Sequence, residues 1–331
     1  MTTRRALQAQ ALAALAAACW RPGAGSAQSL AQPAFPEHGL RYIVPFTPAG
    51  LTDIMARLVA QKLSEIWGKP VVVDNRAGGN AMIGADAAAK SPADGHTLLA
   101  ITLTHAVNVG LFPQAPYHLL RDFRPVSVLG SLPLVVVVNP ASPARTLAEL
   151  LALAKTRPLN GGSSGNGSPP HLGLELLRRE AGAGANLVHV PYRGGAPGVT
   201  DLVAGNLDLM VSNLPECIGQ IKAGRLRALA ITGSERSHQV PEVPTVRELG
   251  VPGLEITNWT AMLTNAGVPE AAFRRLEQAT LAAMGDTEVK RRAVEGGFDV
   301  LGWDADLSRS FVATEVARWS RLVQEAGIKA D

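Results

Sequence analysis

The chain has 331 residues, 47% of them apolar and 18% charged, so it can fill two domains of ordinary size and is too apolar for a disordered one. Its formal charge of +3 overstates its basicity, because three of the 31 basic residues (Arg4, Arg5 and Arg21) fall in the first 27 positions, which hold no acid, leaving 28 of each sign. A balanced chain gives no case for nucleic acid or an anionic membrane surface as partner.

The first 27 residues read as a secretory signal. Arg4-Arg5 is a charged start, 7–20 is rich in Ala and Leu, and Gly25-Ser-Ala27 supplies small residues before a cut preceding Gln28. The apolar stretch, about 14 residues, is shorter than the roughly 20 a membrane span needs. Thr3-Arg-Arg-Ala-Leu7 has a twin-arginine flavour, and Cys19 lacks the Leu at −3 expected of a lipoprotein cysteine. Removal of the leader leaves Cys217 as the one cysteine, which excludes an intrachain disulfide and a Cys/His metal site. Export to the periplasm is expected, without cofactor or metal.

A short apolar run at 42–44 reads as a buried strand, broken by Pro45, Pro48 and Gly50. Thr52 or Asp53 then stands before an amphipathic helix at 54–67, which puts unpaired first-turn N–H groups at the carboxyl end of a strand, an anion-binding geometry. A strand at 71–73, a loop at 74–80, an Ala-rich helix at 81–89 and a strand at 97–102 follow, giving β-α-β-α-β and a mostly parallel sheet. An apolar run at 132–138 leads to a helix after Thr146, where Glu149 completes a capping box. The Gly/Ser-dense stretch 159–168 runs into a helix at 171–181. Strands at 187–190, 207–211 and 226–232, with a helix at 198–204, repeat the same grammar as a second lobe. A further strand at 254–263 precedes three helices, 269–284, 286–295 and 306–326, expected to return over the first lobe.

Four loops, 47–53, 102–108, 161–168 and 193–197, each follow a strand, precede a helix and are rich in Gly, Ser, Thr or Asn. In open α/β sheets ligands collect at such ends. Backbone N–H groups and short hydroxyls suit a carboxylate held without a formal counter-charge. Arg193 is the one cation in these loops; it either meets a second carboxylate or ties the lobes together. For His105 and His171, at helix starts, hydrogen bonds that shape the loop outweigh a ligand role. A serine hydrolase is the competing class: Gly161-x-Ser163-x-Gly165 matches the nucleophile-elbow pattern, with Asp201 or Asp208 and then His238 in chain order. Against it, 156–160 is a poor core strand and His238 sits in a polar loop. The glycine loop lacks the Lys of a P-loop, which ranks nucleotide hydrolysis below the hydrolase reading.

Taken together, Ile43-Val-Pro-Phe-Thr-Pro-Ala-Gly-Leu-Thr-Asp-Ile-Met-Ala-Arg57, Pro70-Val-Val-Val-Asp-Asn-Arg-Ala-Gly-Gly-Asn80, Ser91-Pro-Ala-Asp-Gly-His-Thr-Leu98, Gly162-Ser-Ser-Gly-Asn-Gly-Ser168 with His171-Leu172, Val190-Pro-Tyr-Arg-Gly-Gly-Ala-Pro197, Asp208-Leu-Met and Val243-Pro-Thr-Val-Arg-Glu-Leu-Gly250 resemble the Bug-type receptors, the periplasmic solute-binding components of tripartite tricarboxylate transporters. The resemblance covers nearly all of the chain after the leader. It implies an α/β, two-lobed periplasmic-binding fold of type II, each lobe a mostly parallel sheet flanked by helices, with two crossover segments. The lobes are expected at 28–132 plus 253–331 and at 133–252. It further implies a non-catalytic, monomeric receptor that closes by a hinge on a small carboxylated solute and delivers it to membrane permease subunits, or reports it to a signalling partner. Carried over, the ligand-binding residues are Pro48, Ala49, Gly50, Thr52, Asp53, Thr102, Thr104, His105, Ser163, Ser164, Ser168, Arg193, Gly194 and Asn213, with Asp53 read as a helix cap or a contact to a solute amine. The sequence departs from the family pattern at Ala49, where Gly is usual and a positive φ would be strained; at 101–104, which lacks the usual Gly; and at 265–269.

Overall fold

The computed structural model describes residues 35–183 and 185–328; the expectations for the leader lie outside the described residues. Every element named below belongs to the unit His38–Asp331. In chain order these are β1 (Leu40–Val44), α1 (Leu51–Trp67), β2 (Val71–Asn75), α2 (Met82–Ala89), β3 (Thr97–Thr102), α3 (Leu103–Leu111), α4 (Leu119–Asp122), β4 (Phe123–Val138), α5 (Leu147–Leu153), β5 (Leu159–Ser163), α6 (Pro169–Ala181), β6 (Leu187–Pro191), α7 (Gly195–Ala204), β7 (Leu209–Asn213), α8 (Leu214–Lys222), β8 (Arg227–Ile231), β9 (Thr257–Asn265), α9 (Glu270–Gly285), α10 (Thr287–Glu295), β10 (Asp299–Val300) and α11 (Ala305–Ala326).

The strands order as β2-β1-β3-β9-β4-β7-β5-β6, with β8 and β10 also pairing β4. Parallel pairing is confined to two outer trios, β2-β1-β3 and β7-β5-β6. The strands that join them, β9 and β4, run antiparallel to their neighbours. The 16-residue β4 explains this. Residues up to Pro133 pair with β9, whereas Leu134 to Val138 pair with β7 and β8, so one strand serves two sheet sections. The handover is tied by Thr232, whose hydroxyl donates to the carbonyl of Ile256 at 2.6 Å and also lies 3.1 Å from that of Leu134. Leu134 and the four valines 135–138 are buried on both faces, which is why the run is continuously apolar rather than alternating.

Three elements differ from the sequence reading. The stretch 102–108 is helix from Leu103 onward, because Thr102 and His105 form a capping box directly at the end of β3. The Gly/Ser-dense stretch opens as strand β5, which shares only 159–160 with the run judged a poor strand: glycines 161 and 162 pair with β6 and β7, and side chains of Leu174 and Leu207 occupy the space a Cβ would need. Helix α8 follows β7 without a gap, opened by Pro215 in its first turn. The closing helices pack where expected: α11 lies on α3 and β4, and α9 and α10 on α1. Within that layer the indole N–H groups of Trp259 and Trp319 both donate to Glu315 Oε2, at 2.8 and 2.9 Å. Among the described residues no helix is long and apolar enough to cross a membrane.

Candidate functional site

The βα turns converge on one cavity of about 590 Å³. Its wall is built from helix beginnings: Gly50, Leu51 and Thr52 of α1, Asn80 and Ala81 before α2, Thr102 and Thr104 at α3, Ser168 and Pro169 at α6, Gly194 at α7, and Asn213 and Glu216 at α8. Each of these helices follows a strand, so the cavity collects the positive ends of several helix dipoles. Phe46, Leu111 and Phe112 supply apolar surface, and Ser164, Arg193 and Asn258 complete the polar lining.

On the first wall, Gly50 rather than Thr52 or Asp53 is the N-cap of α1, in extended backbone with no side-chain cap. Asp53 lies inside the first turn and is 2% exposed. Its carboxylate accepts hydrogen bonds from the Ala49 N–H (2.9 Å), Arg57 Nε (2.8 Å) and Asn75 Nδ2 (2.9 Å). Burial alone would raise this carboxyl; the hydrogen bonds from Arg57, Asn75 and Ala49 outweigh it and hold the group below the usual Asp range. Asp53 is therefore a brace for the turn and does not line the cavity. Ala49 has φ 63°, the strained alternative, and it too lies off the lining.

The second helix start is organised by Thr102, whose hydroxyl accepts from the Thr104 N–H while its own N–H donates to His105 Nδ1 at 3.2 Å. That bond puts the His105 proton on Nε2. Burial pushes the imidazole down to about 3, so His105 is a neutral structural acceptor outside the cavity wall. Ser163 is likewise off the wall and fully buried, its hydroxyl 2.6 Å from His189 Nε2 and accepting from the Gly165 N–H. Of the residues proposed from sequence, Gly50, Thr52, Thr102, Thr104, Ser164, Ser168, Arg193, Gly194 and Asn213 are brought together on the cavity, whereas Pro48, Ala49, Asp53, His105 and Ser163 are not on its lining.

The hydrolase constellation is not assembled. Asp208 is bound to Arg157 (2.8 Å) and to the Asn160 N–H, and Asp201 accepts from the Tyr192 hydroxyl at 2.7 Å. The serine's imidazole neighbour is His189, whose ring stacks on His171 at 3.9 Å. Among the described residues the candidate metal ligands that lie together are His38, Asp94 and His96, none of them on the cavity. The two rings stack at 3.8 Å, 24° from parallel, so their in-plane lone pairs do not converge on one point. Cys217 is free and buried, its thiol pushed up to about 12 by burial.

Sequence reading missed Glu216 and Asn258. Glu216 was legible in principle, since Asn213-Leu-Pro-Glu216 is another strand-to-helix turn with Pro in the first helical turn. Asn258 lies within β9, where nothing in the sequence marks a loop. Ser164 Oγ and Asn258 Oδ1, both on the lining, have no hydrogen-bond partner among the described residues. Buried polar atoms normally have one. Arg193 forms no ion pair among the described residues either.

The family model for the tripartite tricarboxylate transporter family receptor matches residues 55–328. The chain belongs to that receptor family. Protein BugT of Bordetella pertussis is 39% identical over 311 residues, covering 92% of this chain and 94% of BugT. Among solved structures, R. palustris Rpa4515 with adipate superimposes with a TM-score of 0.80 at 34% identity, over 89% of this chain and 99% of that one. MatC from Rhodopseudomonas palustris with bound malate gives 0.76 at 30% identity, over 87% and 100%. These receptors are periplasmic solute-binding proteins of mixed α/β architecture, and both solved relatives hold a carboxylate.

Proposed function

We propose that the chain is an exported receptor that captures a small carboxylated solute in this cavity and delivers it to the permease of a tripartite tricarboxylate-type transporter. The observation that carries the reading is the unpaired Arg193 guanidinium on a wall otherwise made of helix N-termini and short hydroxyls. A carboxylate would accept from the first-turn N–H groups of α1, from the Thr104 and Ser164 hydroxyls and from Arg193. Pro48, Ala49, Asp53, His105 and Ser163 would act by fixing the loops. The adipate and malate held by the two relatives support the same ligand chemistry.

On this reading the residues before Pro133 and after about 253 form one lobe and 133–252 the other, with β4 and the segment leading into β9 as the crossovers. Closure is a hinge motion at that handover, the ligand bridging Thr52 and Thr104 to Arg193 and shifting the population to the closed form. The test is isothermal titration of purified mature protein against mono- and dicarboxylates, with mass spectrometry of any ligand retained through native purification. Micromolar or tighter binding of a carboxylate is expected. Retention of an uncharged solute, with every carboxylate silent, overturns the reading.

A further inference from the structure

The cavity carries two opposite charges that do not neutralise each other. Arg193 forms no ion pair among the described residues. Glu216, on the turn opening α8, is met only by neutral donors: Asn213 Nδ2 at 3.1 Å on Oε1, the Ser212 hydroxyl at 3.3 Å on Oε2, and the Asn213 backbone. Room for this carboxylate is made by Gly195, where a Cβ would come within 1.9 Å of Oε2. A carboxylate withdrawn from water without a cation is costly unless something supplies one.

The hydrogen bonds around Glu216 also run in a fixed direction. An ionised carboxylate only accepts, so the Asn213 amide must turn its nitrogen to Glu216 and its oxygen away. That oxygen accepts from Asn258 Nδ2 at 3.1 Å, which leaves Asn258 Oδ1 as the outward end of the chain. This is the atom without a partner on the cavity lining. Glu216 and Asn258 thus present acceptors where the first wall and Arg193 present donors.

We propose that Glu216, with Asn258 Oδ1, is an ammonium-recognising subsite, and that the solute is an aminocarboxylate whose carboxylate meets Arg193 and the helix N-termini while its ammonium meets Glu216. The inference rests on the carboxylate reading above and deepens it. Burial raises the Glu216 carboxyl above its ordinary value, and a bound ammonium would favour its charged form.

Two matched pairs test it by isothermal titration at pH 7.5: 6-aminohexanoate against adipate, and aspartate against malate. In at least one pair the amino member is expected to bind tenfold or more tighter, and Glu216→Gln to erase that preference while leaving the melting temperature no lower than wild type. Amino members that bind no tighter than their partners in both pairs overturn the inference and leave the carboxylate reading standing. So does a Glu216→Gln variant that weakens both members of the preferred pair equally. Failure of all four probes, together with an uncharged ligand retained through purification, removes the carboxylate reading and this inference with it.

Discussion

Two carboxylates, Asp53 and Glu216, lie in the first turns of their helices, and they are held in opposite ways. Asp53 has a guanidinium, an amide nitrogen and a backbone N–H, and its carboxyl is held low; Glu216 has two neutral donors and is raised by burial. Asp53 faces away from the solute space and Glu216 faces it. The contrast separates two jobs that the sequence presents alike. The Asp53 turn is braced internally; on the proposed function, the Arg193 and Glu216 side chains, which form no ion pair among the described residues, are the ones that would choose a ligand.

The comparison breaks most directly at Arg193. Arg193→Gln should weaken adipate or 6-aminohexanoate binding by about 10- to 100-fold, the size of one charge-assisted hydrogen bond, and leave the melting temperature unchanged, as titration and thermal unfolding will read. On the braced wall the order reverses. Asp53→Ala should cost about 2 kcal/mol of stability, because it removes the acceptor of the Ala49 N–H, of Arg57 and of one Asn75 amide hydrogen bond, measurable by urea unfolding.

The pH dependence of stability sharpens the same pair. Asp53, lowered in the folded state, stabilises above the unfolded value near 3.9 and loses that contribution as pH falls through the lower folded value. Glu216 has the opposite sign: its penalty is full above the raised folded pKa and vanishes below the unfolded value near 4.3. Glu216→Gln should therefore stabilise the unliganded protein at pH 8 and lose that advantage by pH 4, whereas Asp53→Asn should be worst at neutral pH and converge on wild type in acid. Urea titrations across that range read both slopes. Smaller effects follow at the loop tips. Thr102→Ala removes one side of the capping box and should cost about 1 kcal/mol. Ala49→Gly relieves φ 63° and should gain about 0.5 kcal/mol, the left-handed penalty less the entropy of the added glycine; differential scanning calorimetry resolves both.

Much of this was legible in the chain itself, for physical reasons that also mark the limits. Strand-to-turn-to-helix grammar located the cavity, because backbone breaks and capping residues are local signals. Which side chains face it was not local. Asp53 looked like a ligand because nothing in the sequence says that Arg57 and Asn75, 18 residues apart, close on it. Ser163 resembled a nucleophile until β5 placed it fully buried and off the cavity lining. The antiparallel centre of the sheet was hidden because β4 pairs with partners 71 (Val138–Leu209) to 170 (Gly130–Val300) residues away, and apolar runs do not record direction.

The Trp259–Glu315–Trp319 bridge has an optical consequence. Among the described residues no tryptophan lines the cavity, and these two indoles share one buried acceptor at the seam of β9 and α11. Trp259 is nevertheless the chain neighbour of Asn258, which does line it. A solute that merely fills the cavity will leave the emission spectrum unmoved, however tightly calorimetry finds it bound. A solute that swings the strand handover will disturb both indoles at once, so a binding-dependent spectral shift reports the motion and not the occupancy.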